Sequence, residues 1–162
     1  MTTAAESGDP RVSVVIPAYN CEDYVAEAID SVLRQTFKDY EIIVVNDAST
    51  DATPQILRAY ERNGDIRVVT HEKNKGLAAA RNSGIRAAHG RWITFLDADD
   101  VWRPEKLQYH QNILDRNPGL VFISNNGMRF NCGEEVVFPP LPEHPVLKRI
   151  KCKDFLLGRG PC

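Results

Sequence analysis

The chain has 162 residues, of which 43% are hydrophobic and 26% charged, with a formal net charge of −2, a composition that encloses one core and argues against disorder. The near-neutral balance gives no clustered basic footprint and excludes an electrostatic case for nucleic-acid binding. Cys21, Cys132, Cys152 and Cys162 are scattered, without the close pairs of a zinc site, and no stretch is apolar enough to span a bilayer or to serve as a signal peptide.

The first predicted element is a strand over residues 12–16, a β-branched run ended by Pro17 and suited to burial on both faces of a parallel sheet. Val25, Ala28, Ile29, Val32 and Leu33 then recur at helical spacing, predicting a helix that ends near Gln35. The alternation continues with a strand at 42–45, a helix at 54–62, a strand at 66–69, a helix at 77–88 and a strand at 92–96. Thr53 is the expected N-cap ahead of Pro54 at the first helical position, and Gly90 is placed to stop the preceding helix. Strands alternating with helices predict βαβ units around a mostly parallel sheet, an α/β/α sandwich of three layers.

Further along, Arg103-Pro104-Glu105 marks another helix start, with Leu107, Ile113 and Leu114 as its apolar face, and residues 120–124 form a short expected strand. Pro139, Pro140, Pro142 and Pro145 then predict a surface loop, and residues 151–157 a short helix. The final Gly158-Arg159-Gly160-Pro161-Cys162 is turn composition with no element completed after it, which predicts a C-terminally truncated domain.

Ligands of open α/β sheets bind outside the carboxyl ends of the strands, so the residues just after each strand carry the chemistry. Neither a Gly-x-Gly-x-x-Gly turn nor a P-loop is present. Instead Asp97 and Asp99 flank the small Ala98 directly after an apolar run; in an extended segment their carboxylates project to one side and form a partial site for magnesium or manganese. The competing reading of such a turn is a cap for the next helix. Asp47, after the second strand, either accepts a hydrogen bond from a nucleobase edge or ribose hydroxyl or serves as an Asx-turn or helix cap. Tyr19 either stacks on a base or packs. Lys75 and Arg81 either face a diphosphate or lie solvated on their loop and helix. His71, His89, His110 and His144 have no partner at ligand spacing and are read as surface or structural residues. A doubly wound phosphohydrolase would place an aspartate after the first strand, where Tyr19 and Asn20 stand.

Four stretches in order resemble the family 2 glycosyltransferases: Val12-Ser13-Val14-Val15-Ile16-Pro17-Ala18-Tyr19-Asn20, Glu41-Ile42-Ile43-Val44-Val45-Asn46-Asp47-Ala48-Ser49-Thr50-Asp51, Asn74-Lys75-Gly76-Leu77-Ala78-Ala79-Ala80-Arg81-Asn82-Ser83-Gly84, and Trp92-Ile93-Thr94-Phe95-Leu96-Asp97-Ala98-Asp99-Asp100. The resemblance implies a Rossmann-like, glycosyltransferase A-type fold and an inverting, metal-dependent transfer from a nucleoside-diphosphate sugar, a uridine diphosphate sugar above all, to a hydroxyl acceptor, with Mn2+ or Mg2+ as cofactor. In that reading Asp47 contacts the base, Pro17 and Tyr19 line the nucleotide, Arg81 lies near the diphosphate, Asp97 lies near the ribose, and Asp99, with Asp97, holds the metal; Lys75 and Ala98 are counted with the nucleotide-sugar-binding residues. The catalytic base is expected beyond Cys162, because Glu134, Glu135, Glu143 and Asp154 lack the family's context. The implied organisation is a flexible tail at 1–10, a nucleotide-sugar-binding domain at 11–125 and the start of an acceptor-side region at 126–162. The alternative is nucleotide-sugar binding without transfer by the chain as it stands. The expected location is the cytoplasm, including the cytoplasmic face of a membrane reached through sequence outside these residues.

Overall fold

The computed structural model describes residues 9–123, 129–131 and 134–136. Four strands, β1 (Val12–Ala18), β2 (Tyr40–Asn46), β3 (Arg67–Thr70) and β4 (Trp92–Phe95), alternate with helices α1 (Val25–Leu33), α2 (Thr53–Asn63) and α3 (Leu77–Ala87), and α4 (Lys106–Arg116) follows. The strands form one parallel sheet in the order β3-β2-β1-β4. The first two crossovers therefore step outward from β1, and the third returns to its other side. All seven residues of β1 are buried, as expected of a strand covered on both faces.

Alternation along the strands divides the core in two. On one face Val12, Val14, Ile16, Ile42 and Val44 pack with Val25, Ile29 and Val32 of α1, Leu57 of α2 and Leu107 of α4. On the other, Val15, Ile43 and Val45 pack with Ala80 of α3. Three layers result, as the alternation predicts. Gln35, fully buried, explains how the chain after β4 is held: its Nε2 donates to the carbonyls of Ser31 and Arg103, and its Oε1 accepts from Leu107 N–H at 2.9 Å.

Several local expectations are corrected. Ala52, not Thr53, is the N-cap of α2, and Pro54 is its second residue; Thr53 Oγ1 is taken by the Cys21 N–H at 3.0 Å, while Asp51 Oδ1 accepts the Thr53 N–H. Helix α3 ends at Ala88 in an extended conformation, ahead of Gly90. Gly90 is needed for another reason: a Cβ there would lie 2.5 Å from Ser13 N and 2.7 Å from Val12 C, so only glycine admits the close approach. Its N–H donates to Ser13 Oγ, which donates to Glu41. Residues 120–123 form no strand, and Val121 and Phe122 are exposed, because an apolar run becomes a strand only where a ladder partner exists.

The chain divides into two compact units, Met1–Gly119 and Leu120–Cys162. Within the second, β5 (Arg129–Asn131) and β6 (Glu134–Val136) pair antiparallel, an element that the sequence reading did not anticipate. The predicted proline-rich loop and the helix at 151–157 lie outside the described residues. No helix among the described residues is long and apolar enough to cross a membrane.

Candidate functional site

The sheet reverses its order between β1 and β4, and the ends of these two strands form its switch point, where open α/β sheets take their ligands. Pro17 ends the pairing of β1 with β4 here. The Leu96 N–H donates to the Val15 carbonyl at 3.1 Å, so Val15 and, two residues on, Pro17 direct their backbone groups toward β4. Proline has no N–H to make the next rung, and the ladder between β1 and β4 stops at Val15 and Phe95. Pro17 itself is buried within β1, whereas Tyr19, 50% exposed, stands free at the rim.

The loops after β1 and β2 are stitched together by side chains. Asn20, at φ 48°, donates its N–H to Ser49 Oγ and accepts the Thr50 N–H on Oδ1 at 2.8 Å. Glu22 N–H donates to Asp51 Oδ2 at 3.1 Å. Ala48 also has positive φ, 60°, where its Cβ is unfavourable, and the Asx bond from Ser49 N–H to Asn46 Oδ1 helps to hold it there.

Asp47, expected to contact a base, is held by the protein itself. It is only 3% exposed, and both carboxylate oxygens are occupied by the protein: Oδ1 lies 2.6 Å from His71 Nδ1 and accepts the Lys75 N–H at 2.9 Å, while Oδ2 accepts the N–H groups of Lys75 and Gly76 at 3.1 and 2.7 Å. The Lys75 and Gly76 partners lie on the loop ahead of α3, not on the neighbouring turn at Ser49 to Asp51. Burial alone would raise the Asp47 pKa, but the bonds from His71, Lys75 and Gly76 outweigh it and hold the carboxyl below the ordinary aspartate value. The N-cap residue of α3 is Gly76 at φ 84°, a left-handed conformation that glycine tolerates. Lys75 thus meets Asp47 through its backbone, and its side chain is exposed.

His71 was the residue the sequence reading passed over. It is buried, with Nε2 2.8 Å from Ser83 Oγ, and Arg86 donates to the same hydroxyl at 3.1 Å. An aspartate, a histidine and a serine in a hydrogen-bonded row suggest a nucleophile, but Ser83 lies inside α3, where no free backbone N–H pair faces it to stabilise an oxyanion. The row is structural. His89 likewise has partners: its N–H donates to Glu41 Oε1 at 2.7 Å.

Arg81, Asp97, Ala98 and Asp99 are brought together. Arg81 projects from α3 over the Phe95 ring, 5.6 Å from its centroid, and donates to Asp97 Oδ1 at 2.7 Å. The segment after β4 is not extended, as the sequence reading assumed. The Asp100 N–H donates to the Asp97 carbonyl at 3.0 Å, closing a turn through Ala98 and Asp99. Ala98 is buried against the α1 side of the core, and Asp99 is exposed. The turn is anchored downstream by the Trp102 N–H, which donates to Ser31 Oγ.

Three carboxylates on one turn repel each other. Partial desolvation, then Asp99 and Asp97, raise the Asp100 pKa against the opposing charge of Lys106. Such a concentration of negative charge suits a divalent cation. Among the described residues no three His, Cys, Asp or Glu side chains form a cage, and Asp97 and Asp99 are the two on this turn that could contribute to one. One or two carboxylates, with phosphate and water completing the shell, is the donor set of magnesium and manganese. The residues fit that kind of ion.

A family model described as Glycosyl transferase family 2 matches residues 13–156. The chain is 40% identical to an uncharacterized glycosyltransferase, RP339 of Rickettsia prowazekii, over 79% of this chain and 37% of that protein. Its fold is similar to the crystal structure of S. aureus TarS 1–349 in complex with UDP-GlcNAc, with TM-score 0.63 and 33% identity over 67% of this chain and 32% of that one. It is also similar to a mannosyltransferase from Pyrobaculum calidifontis in complex with GDP-Man and Mn2+, with TM-score 0.60 and 32% identity over 65% of this chain and 32% of that one. The chain spans two fifths or less of the curated relatives that it matches.

Proposed function

The chain belongs to glycosyl transferase family 2, and from that premise we propose that the crevice between β1 and β4 holds the nucleoside-diphosphate end of a sugar donor, for inverting transfer to a hydroxyl acceptor by the whole protein. The observation that carries this reading is the pairing of Arg81 with Asp97 at 2.7 Å beside an exposed Asp99, at the switch point of the sheet. In this reading Tyr19 stacks on the base, Pro17 lines the crevice, and Lys75 and Arg81 meet the diphosphate oxygens, the latter with a planar guanidinium suited to them. Asp97 and Ala98 border the ribose, and Asp99, with Asp97, would hold Mn2+ or Mg2+, which when bound neutralises charge developing on the diphosphate. Uridine is the preferred base, supported by the neighbour that binds UDP-GlcNAc, and manganese by the neighbour that contains it. Residues 126–162 begin the acceptor side, and no base is assigned within them. A cytoplasmic location, at a membrane face included, belongs to the same reading.

Calorimetry with UDP tests it. Affinity is expected to be about tenfold or more higher with manganese than with excess chelator, and Asp99→Ala to bind as weakly as the chelated protein. Equal affinity in the two buffers would remove the metal from the site, and no binding in either would remove the nucleotide.

A further inference from the structure

His71 connects the end of β3 to two other elements. Asp47 accepts backbone N–H groups on both oxygens, so the 2.6 Å contact with His71 Nδ1 requires the proton on that nitrogen. Ser83 Oγ accepts from Arg86 and lies 2.8 Å from His71 Nε2. The row is then Arg86 to Ser83 to His71 to Asp47, with the Lys75 and Gly76 N–H groups converging on its far end. Both ends of the row lie on the Lys75-to-Arg86 segment, since Gly76 caps α3 and Ser83 lies within it. His71 therefore pins α3 at its start and at its second turn.

We infer that His71 is a positioning residue for donor binding: through Asp47 and Ser83 it sets the position of Lys75 and of α3, and with α3 that of Arg81. This rests on the donor site proposed above. Arg81 lies five residues beyond Gly76, roughly 7.5 Å along the helix axis, so any displacement of the cap is carried to the guanidinium that meets Asp97. The Lys75 and Gly76 N–H groups, which at an unoccupied helix start would attract the anion, are already satisfied by Asp47. The side chains proposed to meet the diphosphate, Lys75 and Arg81, stand on the segment that the clamp holds.

The test uses the 162-residue chain, with UDP and manganese as the probe. Nitrogen-15 NMR of the His71 ring is expected to show a proton on Nδ1. His71→Leu should weaken UDP by about tenfold, the loss of a hydrogen bond to a charged group, and speed amide exchange at Lys75 and Gly76. His71→Asn keeps an N–H near the Nδ1 position and should recover both to within about threefold. A ring with no proton on Nδ1, unchanged exchange in His71→Leu, or no recovery in His71→Asn would overturn the inference. If His71→Leu does not fold, the Nδ1 proton and the exchange rates of His71→Asn decide it. If the unmodified chain binds no UDP, the donor site itself fails, and the Nδ1 proton and exchange results still decide whether the clamp exists.

Discussion

Gly84→Ala is expected to lower stability by about 2 kcal/mol and the melting temperature by roughly 5–10 °C. A Cβ at position 84 would lie 2.2 Å from Val15 Cγ1, and 3.1 and 3.2 Å from Val15 Cγ2 and Cβ. Val15 is fully buried in the central strand, and its branched side chain has no free rotamer to turn into. Helix α3 would have to rise from the sheet. Alanine would return about 1 kcal/mol through helix propensity, but overpacking a rigid contact costs about 1–3 kcal/mol or more, and contact this short belongs at the upper end. Because Arg81 lies one turn before Gly84 on the same helix, UDP affinity should fall as well. Thermal and urea melts of Gly84→Ala, Val15→Ala and the double variant check the cause: the double variant should be less destabilised than the sum by about 1 kcal/mol. Additive losses would show that Val15 is not the obstacle.

The strands and helices of the sheet were legible because each carries its signal locally. Residues 12–16 and 42–45 are continuous β-branched runs, and the helices between them repeat apolar residues at a period that only a helix satisfies. The strand-end residues were legible as a set for the same reason, since the topology rule converts the end of a strand into a place in space. What escaped the reading is fixed by bonds between distant residues. Gly90 read as a helix stop, and its role became visible only when Ser13, 77 positions away, was found against it. Asp47 and His71 are 24 apart, and nothing in either neighbourhood announces the other. The turn at Asp97 to Asp100 failed differently. An extended course was assumed because β4 precedes it, yet the Trp102 N–H bond to Ser31 draws the chain back toward α1, and a strand cannot make that return without a turn.

Asp47→Ala is expected to cost about 3 kcal/mol at neutral pH, because His71 Nδ1–H and the Lys75 and Gly76 N–H groups would each lose an acceptor at a cost of about 1 kcal/mol or more. A carboxylate that met only a nucleobase would leave stability unchanged on removal, so the variant separates the two sequence readings directly. The pH dependence supplies the stronger check. The folded protein holds the Asp47 pKa below its ordinary value, His71 and the two backbone N–H groups prevailing over the opposing effect of burial. A depressed folded-state pKa contributes stability that is present above the unfolded value, about 3.9, and lost as pH falls through the folded one. The stability difference between the unmodified chain and Asp47→Ala should therefore be largest at pH 7, hold to about pH 5, and shrink as the solution is taken toward pH 3. Urea midpoints at pH 7, 5 and 3 measure it. A gap that persists undiminished at pH 3 would mean that the carboxylate's charge is not what binds the loop, and a gap absent at pH 7 would return Asp47 to the ligand. Asp47→Asn refines the outcome: the amide oxygen still accepts one or two of the bonds, but its NH2 faces a donor and the charge is gone, so its stability should lie between the other two and lose its dependence on acid.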